Sequence, residues 1–355
     1  VSVTTKTRSP IRATPYQHME ILQNYSLRTL NTFGIDAQAD WFIPFTSIED
    51  LQLLSRDEYF QECRCITIGS NLLFLANFHG IVLHSKILGR QVVTETEETV
   101  DMLVGSGVHW DDLVAELADL GLYGVENLSL IPGQVGAAAI QNIGAYGAEV
   151  SQVIQEVHTV NRRSGEVRHF SNQECNYSYR HSIFKEPEWA DYIVTHVVLR
   201  LSKKRTLHLD YADLRERVTA HTAEPTASDV RREVSRIRQE KLPDPKTLGN
   251  AGSFFMNPII SSEAFAELLK AHPNAPHYLL EDGRVKVPAG WLIDRCGLKG
   301  YRLGHAGVYE KQALVLVNAD GEATGQDIAR LAEYIQGEVQ QHFGIRIEPE
   351  VRYIS

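Results

Sequence analysis

The sequence predicts an α+β protein, in which helices and sheets form layers without a repeated strand–helix unit. Two observations lead to this expectation. Segments that alternate apolar and polar residues, two of them joined by a short turn, are mixed with amphipathic helical segments in no regular order. The 355 residues, 43% of them hydrophobic, have ordinary globular composition and enough length for two or three domains.

The predicted elements follow a polar, aperiodic stretch, residues 1–20, which we expect to be a flexible leader. A helix is predicted at 47–60, with Ser47 as its N-cap, because leucines repeat on one face. Within 99–122, a strand and a Gly-x-Gly turn precede an amphipathic helix that Gly121 ends. Further helices are predicted at 226–240, 261–271 and 327–343. Within 64–74 a buried strand runs into a Gly-Ser-Asn turn, and the other predicted strands are 40–45, 80–86, 150–162, 165–170, 192–202, 313–317 and 346–354.

The segment KLPDPK, residues 241–246, is the best internal boundary. Its two prolines flank Asp244, and a proline removes a backbone donor and restricts the residue before it. The charged helix at 226–240 therefore ends at this segment, and we expect a separate domain beyond it.

Charge and hydropathy argue against two classes of partner. The 35 Lys and Arg residues against 45 Asp and Glu residues give a net charge of −10, and no basic stripe could follow a phosphate backbone. No apolar run approaches the roughly 20 residues of a membrane-spanning helix, and the first residues hold no apolar signal segment. We therefore expect a cytoplasmic protein that binds neither nucleic acid nor membrane.

The cysteines are too few for a disulfide scaffold and match no zinc-binding spacing. Cys63 and Cys65 lie two apart in a strand-like run, which would place them on one face. We expect ordinary packed thiols, with a redox pair as the alternative. The sequence predicts no metal site.

Three glycine-containing turns are candidates for binding phosphate or a cofactor, because backbone N–H groups without a nearby Cβ can approach phosphate oxygens. IGSN at 68–71 and VGSG at 104–107 are more typical of ordinary turns. The stretch SLIPGQVGAAAIQNIGAYG, residues 129–147, has four glycines and could not form a stable helix by itself. It is either a cofactor cradle or a place of tight backbone packing.

Three polar side chains could carry chemistry, although each has an ordinary structural interpretation. Ser253 lies in a Gly-rich turn, GNAGSFFMNP, and no local His and Asp complete a hydrolytic triad. Arg180 lies in a loop among aromatic residues, where its donors suit a carboxylate, a phosphate or a surface salt bridge. Glu350 lies on the predicted last strand, where a carboxylate is usually exposed to solvent.

Taken together, these segments resemble the bacterial UDP-N-acetylenolpyruvoylglucosamine reductases, flavoenzymes of peptidoglycan precursor synthesis, and among them the first type. The resemblance covers residues 31–352 and rests on separate blocks that occur in the family's order. The blocks are NTFGI, IGSN, ENLSLIPGQVGAAAIQNIGAYG, YRHSIFK, KLPDPK, GNAGSFFMNP, PAGWLIDRCGLKG and EPEVR.

The resemblance implies two FAD-binding subdomains, with the PCMH-type or vanillyl-alcohol-oxidase-like fold, and a C-terminal α+β substrate-binding domain. The implied divisions are subdomain 1 at 21–90, joined by the last strand at 350–355, subdomain 2 at 91–242, and the substrate-binding domain at 243–349.

The resemblance also implies the reaction. NADPH would reduce noncovalently bound FAD, and hydride would pass from flavin N5 to the terminal carbon of UDP-N-acetylglucosamine enolpyruvate, giving UDP-N-acetylmuramate. Arg180 and Glu350 would flank the substrate carboxylate and the adjacent carbon, and Ser253 would give that carbon its proton. The implied FAD contacts are Gly69, Ser70, Asn71, Pro132, Gly133, Gly136, Ala137, Gln141, Asn142, Gly144, Ala145, Tyr146 and Arg238. The implied nucleotide-sugar contacts are Tyr179, Tyr211, Lys241, Asn257 and Gln312.

The chain departs from the family's pattern at three positions. Thr67 stands where a second glycine before the GSN turn is common, Ala139 where proline is common, and Met256 where relatives often carry a basic residue. The departure at Met256 leaves one auxiliary substrate contact open.

The runner-up interpretation is an FAD-dependent oxidase on the same framework, since fold alone does not decide function. The Ser253 block and Glu350 argue against it, because an oxidase does not need a proton donor to an enolate carbon. We expect a monomer whose partners are the small-molecule substrate and NADPH.

Overall fold

A computed structural model describes residues 19–355 of the chain. The leader predicted at 1–20 therefore lies outside the described residues except for its last two. The described residues form two compact units, and both mix helices with sheets, which confirms the α+β prediction. The first unit comprises the residues up to Tyr25, Ala39–Ile68 and His79–Arg236, and the second comprises Ser26–Gln38, Gly69–Phe78 and Ile237–Ser355.

Strands and helices are interspersed along the described part of the chain. The strands are β1 (Leu22–Ser26), β2 (Gln38–Phe45), β3 (Cys65–Thr67), β4 (Leu72–Phe74), β5 (Phe78–Ser85), β6 (Arg90–Glu95), β7 (Thr99–Gly105), β8 (Gly144–Ala145), β9 (Ala148–Glu149), β10 (Ile154–Asn161), β11 (Val167–Ser171), β12 (Tyr192–Ser202), β13 (Asn250–Ser253), β14 (Ile259–Ile260), β15 (Tyr278–Leu279), β16 (Val285–Lys286), β17 (Arg302–Leu303), β18 (Ala306–Val308), β19 (Val315–Asn318) and β20 (Arg352–Ile354). The helices are α1 (Ile48–Leu54), α2 (Glu58–Glu62), α3 (Trp110–Asp119), α4 (Val135–Gln141), α5 (Leu214–Thr219), α6 (Ala227–Lys241), α7 (Ser262–Ala271), α8 (Ala289–Arg295) and α9 (Gly325–Phe343).

A four-stranded sheet in the first unit has the order β1-β2-β5-β3 and is covered by α1. Ser47 is the N-cap of α1, as predicted: its hydroxyl accepts from the Asp50 N–H, and the Asp50 carboxylate accepts from the Ser47 N–H. This capping box orients the helix so that Leu51 and Leu54 are fully buried against the sheet.

The single helix predicted at 47–60 is wrong, because two helices occupy this range. The first ends at Leu54, and the carboxylate of Asp57 then accepts from the N–H groups of Tyr59 and Phe60. An aspartate that binds the backbone two and three residues ahead starts a new helix rather than continuing the old one.

The two neighbouring cysteines are packed thiols, but they do not share one face of a strand as predicted. Cys63 is the C-cap of α2, and Cys65 lies in β3. Both pack against the core of the four-stranded sheet. Burial raises the pKa of Cys65 to about 12, so its thiol stays protonated at neutral pH.

A five-stranded antiparallel sheet, with the order β11-β10-β12-β7-β6, forms the rest of the first unit's framework. The predicted hairpin is present, with β10 and β11 joined by a turn. Val157, Phe170 and Val197 lie opposite one another on the buried face, where α3 contributes the fully buried Trp110 to the same core. The opposite face is partly exposed.

The stretch 129–147 contains a short helix, α4, although its composition disfavours an autonomous helix. Val135, Gly136, Ala138 and Ala139 are buried against the core of the five-stranded sheet. Tertiary packing therefore stabilises a helix that glycine would otherwise weaken.

The second unit contains a four-stranded sheet, β13-β19-β18-β17, a three-stranded sheet, β14-β16-β15, and the parallel pair β20-β4. The predicted long helix is α9, which packs on β18, β19 and α8. It begins with a capping box at Thr324 and ends at Gly344, whose φ of +67° is the left-handed conformation of a helix C-terminus. Leu331 and Ile335 are among its fully buried residues.

Two predictions in this unit are wrong in their bounds. The last strand, predicted at 346–354, covers only β20, because Pro349 has no N–H to donate to a ladder, and Glu350 lies in a bend before the strand. The Gly-rich turn predicted around Ser253 is instead β13, which pairs with β19.

The helices of the described residues are all too short or too polar to cross a membrane. The division into subdomains at residues 90 and 242 stays a prediction. The boundary between the compact units that lies nearest residue 242 follows Arg236, within α6.

Candidate active site

In the second unit, the IGSN turn and the Glu350 segment are hydrogen-bonded to each other. Asn71 Nδ2 donates to the Glu350 carbonyl at 3.0 Å, and the Arg352 N–H donates to the Asn71 carbonyl at 3.1 Å. These bonds continue directly into the parallel pairing of β4 with β20. Two blocks that are far apart in the sequence therefore lie side by side, joined by backbone and side-chain hydrogen bonds.

The Ser253 strand pairs with the same segment. The Glu350 N–H donates to the Phe254 carbonyl at 2.8 Å, and Phe255 forms a bridge with Pro349. Phe254 and Phe255 are buried, whereas Ser253 is exposed and Glu350 is half-buried. The aromatic pair thus anchors this backbone and leaves the Ser253 hydroxyl accessible to a ligand.

Gly69 and Ser70 of the IGSN turn are half-buried beside this pairing. The Ser70 carbonyl accepts from Thr32 Oγ1 at 2.8 Å, which ties the turn to the NTFGI block. Gly69 precedes Ser70 and is also half-buried. The second unit therefore brings together Gly69, Ser70, Asn71 and Glu350.

Two predicted substrate contacts lie beside α8. Asn257 Oδ1 accepts from the Ala289 N–H at 2.9 Å, so the amide is fixed with Nδ2 as the group that could donate to a ligand. Gln312 Oε1 faces Gly290, where an added Cβ would lie only 3.1 Å from it. The small residue in the first turn of α8 thus makes room for the Gln312 side chain.

Arg238 and Lys241 lie in the last turn of α6, and Lys241 is also the first residue of the predicted boundary segment KLPDPK. Arg238 is half-buried and Lys241 is exposed. A helix C-terminus carries partial negative charge, so both cations are placed favourably there even without a ligand.

In the first unit, Tyr146 and Tyr211 are in contact. The β8–β9 hairpin turns at Tyr146 and Gly147, which both have positive φ angles, of +49° and +82°. The Tyr146 ring meets the Tyr211 ring edge-on, with centroids 5.7 Å apart, while 40% of Tyr211 remains exposed. Tyr211 is therefore positioned by an aromatic neighbour and still reaches solvent.

Arg180 is held in one orientation by its own backbone and by Gly144. Its φ of +57° is left-handed, and its Nη2 donates to the Gly144 carbonyl at 2.7 Å. A Cβ on Gly144 would lie 2.7 Å from Arg180 Nη1, closer than real Cβ contacts allow. The guanidinium also lies 5.1 Å from the Tyr179 ring centroid, within the range of a cation–π interaction.

The side chain of Asn142 is buried and bonded to protein groups. Its Nδ2 donates to Glu149 Oε2 at 2.9 Å and to the Ser178 carbonyl at 2.8 Å, and its Oδ1 accepts from the Ser151 N–H. Asn142 thereby fastens the Gly-rich stretch to the loop that carries Arg180.

Two segments of the chain match known families. Residues 42–171 match the FAD binding domain, and residues 244–354 match the UDP-N-acetylenolpyruvoylglucosamine reductase C-terminal domain. The UDP-N-acetylenolpyruvoylglucosamine reductase of Porphyromonas gingivalis is 53% identical over 338 residues, which cover 95% of this chain and all of the relative. This chain belongs to the UDP-N-acetylenolpyruvoylglucosamine reductase family.

Other members of the reductase family are similar along nearly their whole length. The protein of that name from Bacteroides fragilis is 48% identical, covering 94% of this chain and 99% of its own, and that from Yersinia pestis is 44% identical, covering 94% and 96%. The crystal structure of the Thermus caldophilus UDP-N-acetylenolpyruvylglucosamine reductase has a TM-score of 0.65 at 23% identity, covering 95% of this chain and 99% of that one. This last likeness shows the fold.

The residues of the first unit fit the FAD that this reductase family uses. One face of α4 is buried, while Ala137, Ile140 and Gln141, spaced three and four apart, form a partly exposed face without charge. Gly133, at φ +119°, and the exposed Pro132 precede this face. Small and uncharged side chains in this position are suited to a flat, neutral ring system.

Several glycines nearby serve packing rather than ligand access. An added Cβ would lie 2.2 Å from the Ile87 carbonyl oxygen at Gly105, and 2.8 Å from the Ser106 Cβ at Gly136. The VGSG turn therefore docks on α4, and the Gly136 N–H donates to the Ser106 carbonyl at 3.0 Å. Within the stretch 129–147, Gly136 therefore supports the interpretation as tight backbone packing, whereas the partly exposed face of α4 supports the interpretation as a cofactor cradle.

Sequence reasoning missed the side chains that hold these reductase-family loops in place. Asn127 Nδ2 donates to the carbonyls of Tyr146 and His208, both at 2.8 Å. Asp111 accepts from the Leu130 N–H and pairs with Arg231. Burial raises the pKa of the Asp111 carboxyl, but these two partners outweigh it and hold the pKa below its ordinary value. All these partners are distant in sequence, so local spacing carried no signal for them.

Proposed function

We propose that this chain catalyses the NADPH-dependent, FAD-mediated reduction of UDP-N-acetylglucosamine enolpyruvate to UDP-N-acetylmuramate, a step of peptidoglycan precursor synthesis. The observation that carries the proposal is the pairing of the Ser253 strand with the Glu350 segment, in a chain of this family. This pairing supports the proposal, because a proton-transfer step needs groups whose backbones are fixed relative to each other.

When bound, FAD would supply the redox chemistry that carries a hydride from NADPH to the enolpyruvyl group. The residues that would hold it are the turn at Gly69, Ser70 and Asn71 and the partly exposed face of α4, with Arg238 as a cationic contact. The further members of this proposed set are Pro132, Gly133, Ala137, Gln141, Gly144, Ala145 and Tyr146. Gly136 and Asn142, which are buried in contacts with other protein groups, are assigned to shaping this stretch rather than to touching FAD.

The proposed proton donor is the Ser253 hydroxyl. Addition of hydride to the terminal carbon leaves negative charge delocalised from the adjacent carbon onto the substrate carboxylate. Ser253 protonates that adjacent carbon, while Arg180 stabilises the charge and Glu350 flanks the same group. A guanidinium stabilises this charge more effectively when it is held in place beforehand, because it then needs no reorganisation as the charge on the substrate develops. The bond from Arg180 to the Gly144 carbonyl supports this role, since it fixes the guanidinium in advance.

The nucleotide-sugar half of the substrate is assigned to five side chains. Tyr211 would close over the diphosphate, and Lys241 would supply a positive charge for it. Asn257 would donate through Nδ2, since its Oδ1 already accepts from Ala289. Tyr179 and Gln312 complete the proposed set.

The proposal includes the organisation of the chain in the cell. We assign residues 21–90 with 350–355, and residues 91–242, to FAD binding, and residues 243–349 to the substrate. The enzyme works as a monomer in the cytoplasm, where NADPH and nucleotide sugars are supplied.

The Ser253→Ala variant tests the proton-transfer role. We expect bleaching of the flavin absorbance by NADPH at the normal rate, whereas its recovery with UDP-N-acetylglucosamine enolpyruvate slows by about 100-fold or more under anaerobic conditions. Ser253→Cys, which keeps a proton donor, should recover part of that rate. Equal loss in both half-reactions would show that Ser253 is structural. If the flavin absorbance of the native enzyme recovers only when oxygen is added, the result would favour an oxidase instead.

A further inference from the structure

The partly exposed face of the five-stranded sheet carries a cluster of metal-ligating side chains that the proposed reaction does not use. Glu156 and His158 lie on β10, and His169 lies on β11. One ligand atom from each, an oxygen or a ring nitrogen, lies within 4.8 Å of the other two. Sequence patterns did not indicate this cluster, because the ligands come from two strands and follow no metal-binding spacing.

The sheet register creates the cluster. His158 and His169 are directly opposite each other in the antiparallel pair, and their rings are stacked with centroids 3.6 Å apart and planes 3° from parallel. Glu156 lies two residues before His158 and therefore points to the same face, where its Oε2 is 2.9 Å from His158 Nε2. Because β10 is hydrogen-bonded on both sides, by β11 and β12, the backbone beneath these side chains is fixed.

We propose that Glu156, His158 and His169 bind a divalent transition-metal ion of the Zn²⁺ class on the outer face of this sheet. Two imidazole nitrogens and a carboxylate oxygen are a donor set that such ions prefer. The ligand atoms of a tetrahedral zinc site lie roughly 3.4 Å apart. Because a metal ion lies in the plane of each imidazole that binds it, the two stacked rings would have to turn out of their parallel arrangement to share one ion. The fourth position would hold water or another small ligand, because the cluster is open to solvent.

The neighbouring strand β12 brings a third imidazole close to the cluster. His196 lies opposite His158 in the antiparallel pair, with 6.4 Å between the two ring centroids. A histidine must be neutral to offer a lone pair to a metal ion.

The donor set also selects the class of ion. Ca²⁺ and Mg²⁺ require mainly oxygen ligands, and this cluster offers a single carboxylate. The pair of His305 with Asp320 in the second unit is a useful contrast, because its ring nitrogen and carboxylate are 3.0 Å apart without a second stacked imidazole. A histidine–carboxylate pair alone is an ordinary surface contact, and the stacked second histidine distinguishes the proposed site.

A bound ion would join β10 to β11 and stabilise the first unit. An ion that binds only the folded chain raises the melting temperature in proportion to the logarithm of its concentration. At a Zn²⁺ concentration near one hundred times Kd, we expect a rise of about 5 °C.

The test is calorimetric titration of untagged, chelator-treated holoenzyme with ZnCl₂, together with thermal unfolding. We expect one tight site per chain in the native protein. Glu156→Gln and His169→Ala should each weaken binding at least tenfold. Loss of a group that only hydrogen-bonds to a metal ligand lowers metal affinity by about 10–100-fold, and loss of a ligand itself should cost no less. His305→Ala, the matched control, should leave the tight site and the Zn²⁺-dependent rise in melting temperature unchanged.

Two results would overturn the proposal. One is a native protein that shows no stoichiometric Zn²⁺ binding at micromolar concentrations. The other is tight binding that persists in both His169→Ala and Glu156→Gln, because the ion would then bind elsewhere. Glu156→Gln preserves the size of the side chain, so a folded and flavin-loaded variant is available even if His169→Ala is unstable.

Discussion

Asn71 donates its side-chain amide to the backbone carbonyl of Glu350 at 3.0 Å, although 279 positions separate the two residues in the sequence. The turn that the sequence predicts as part of the FAD site therefore also positions the predicted catalytic carboxylate. The IGSN turn and the Glu350 segment are therefore held together by hydrogen bonds within the second unit.

This relationship predicts that Asn71→Ala disturbs more than cofactor binding. The Glu350 carbonyl loses its donor in a half-buried place, which should lower the free energy of unfolding by about 1 kcal/mol. We also expect flavin recovery with the enolpyruvyl substrate to slow more than flavin bleaching by NADPH. Urea denaturation and the two half-reaction rates measure these effects.

Asn77→Ala is the matched control. Asn77 Oδ1 accepts from the Gln38 N–H at 3.0 Å, an exposed side-chain-to-backbone bond in the same unit. Its loss should cost little stability and leave both half-reactions unchanged. If the two variants behave alike, the Asn71 contact has no role in positioning Glu350.

Tyr211→Phe separates the role of the ring from that of the hydroxyl. Phenylalanine keeps the edge-on contact with Tyr146, so FAD content and folding should be unchanged. Loss of the hydroxyl should raise KM for the nucleotide sugar by about tenfold, the effect of one hydrogen bond to a charged group. Tyr211→Ala should weaken binding further, because the ring contact is lost as well. An unaltered KM in Tyr211→Phe would contradict the proposed diphosphate contact.

Gly144→Ala tests whether Arg180 needs its close approach to the backbone. The new Cβ would lie 2.7 Å from Arg180 Nη1 and 3.1 Å from the Ala148 carbonyl oxygen, so the guanidinium must move. We expect a loss of about 1–3 kcal/mol in stability and a slower substrate half-reaction. Unfolding midpoints and turnover together report the effect.

Gly337→Ala is the control for a glycine that faces open space. An added Cβ there meets no atom within 4 Å, and the residue lies inside α9. Alanine should raise stability by about 0.5–1 kcal/mol, because it loses less backbone entropy on folding. Destabilisation by Gly337→Ala comparable with that of Gly144→Ala would mean that the clash with Arg180 is not the cause.

The parts of the fold that depend on local chemistry could be predicted from the sequence. Ser47 caps α1 as its position before the leucine repeat indicated, and the hairpin of β10 and β11 follows from alternation on either side of a Gly-containing turn. Sequence reasoning missed the break between α1 and α2 at Asp57. An aspartate can lie inside a helix or can accept hydrogen bonds from the backbone ahead of it and start a new helix, and the sequence does not distinguish the two.

The parts that depend on long-range contacts could not be predicted. The stretch 129–147 contains a helix only because the sheet core buries its alanines, which composition does not reveal. For the site, the resemblance supplied the residue types, but the sequence did not indicate that Asn142 would be buried, with its side chain bonded to Glu149, Ser178 and Ser151. Such roles follow from partners on other elements.

His84 makes the stability of the first unit depend on pH. Burial, and secondarily the charge of Lys86, lowers the pKa of His84 from 6.5 to about 4. As the pH falls from 6.5 towards 4, the unfolded chain therefore takes up a proton that the folded chain excludes, and stability is lost across this window. His84→Gln should show a smaller loss of urea midpoint between about pH 7 and pH 4.5 than the native protein. His79→Gln removes an exposed histidine from the same strand and should follow the native curve. Identical curves for the native protein and His84→Gln would show that His84 is not the group responsible.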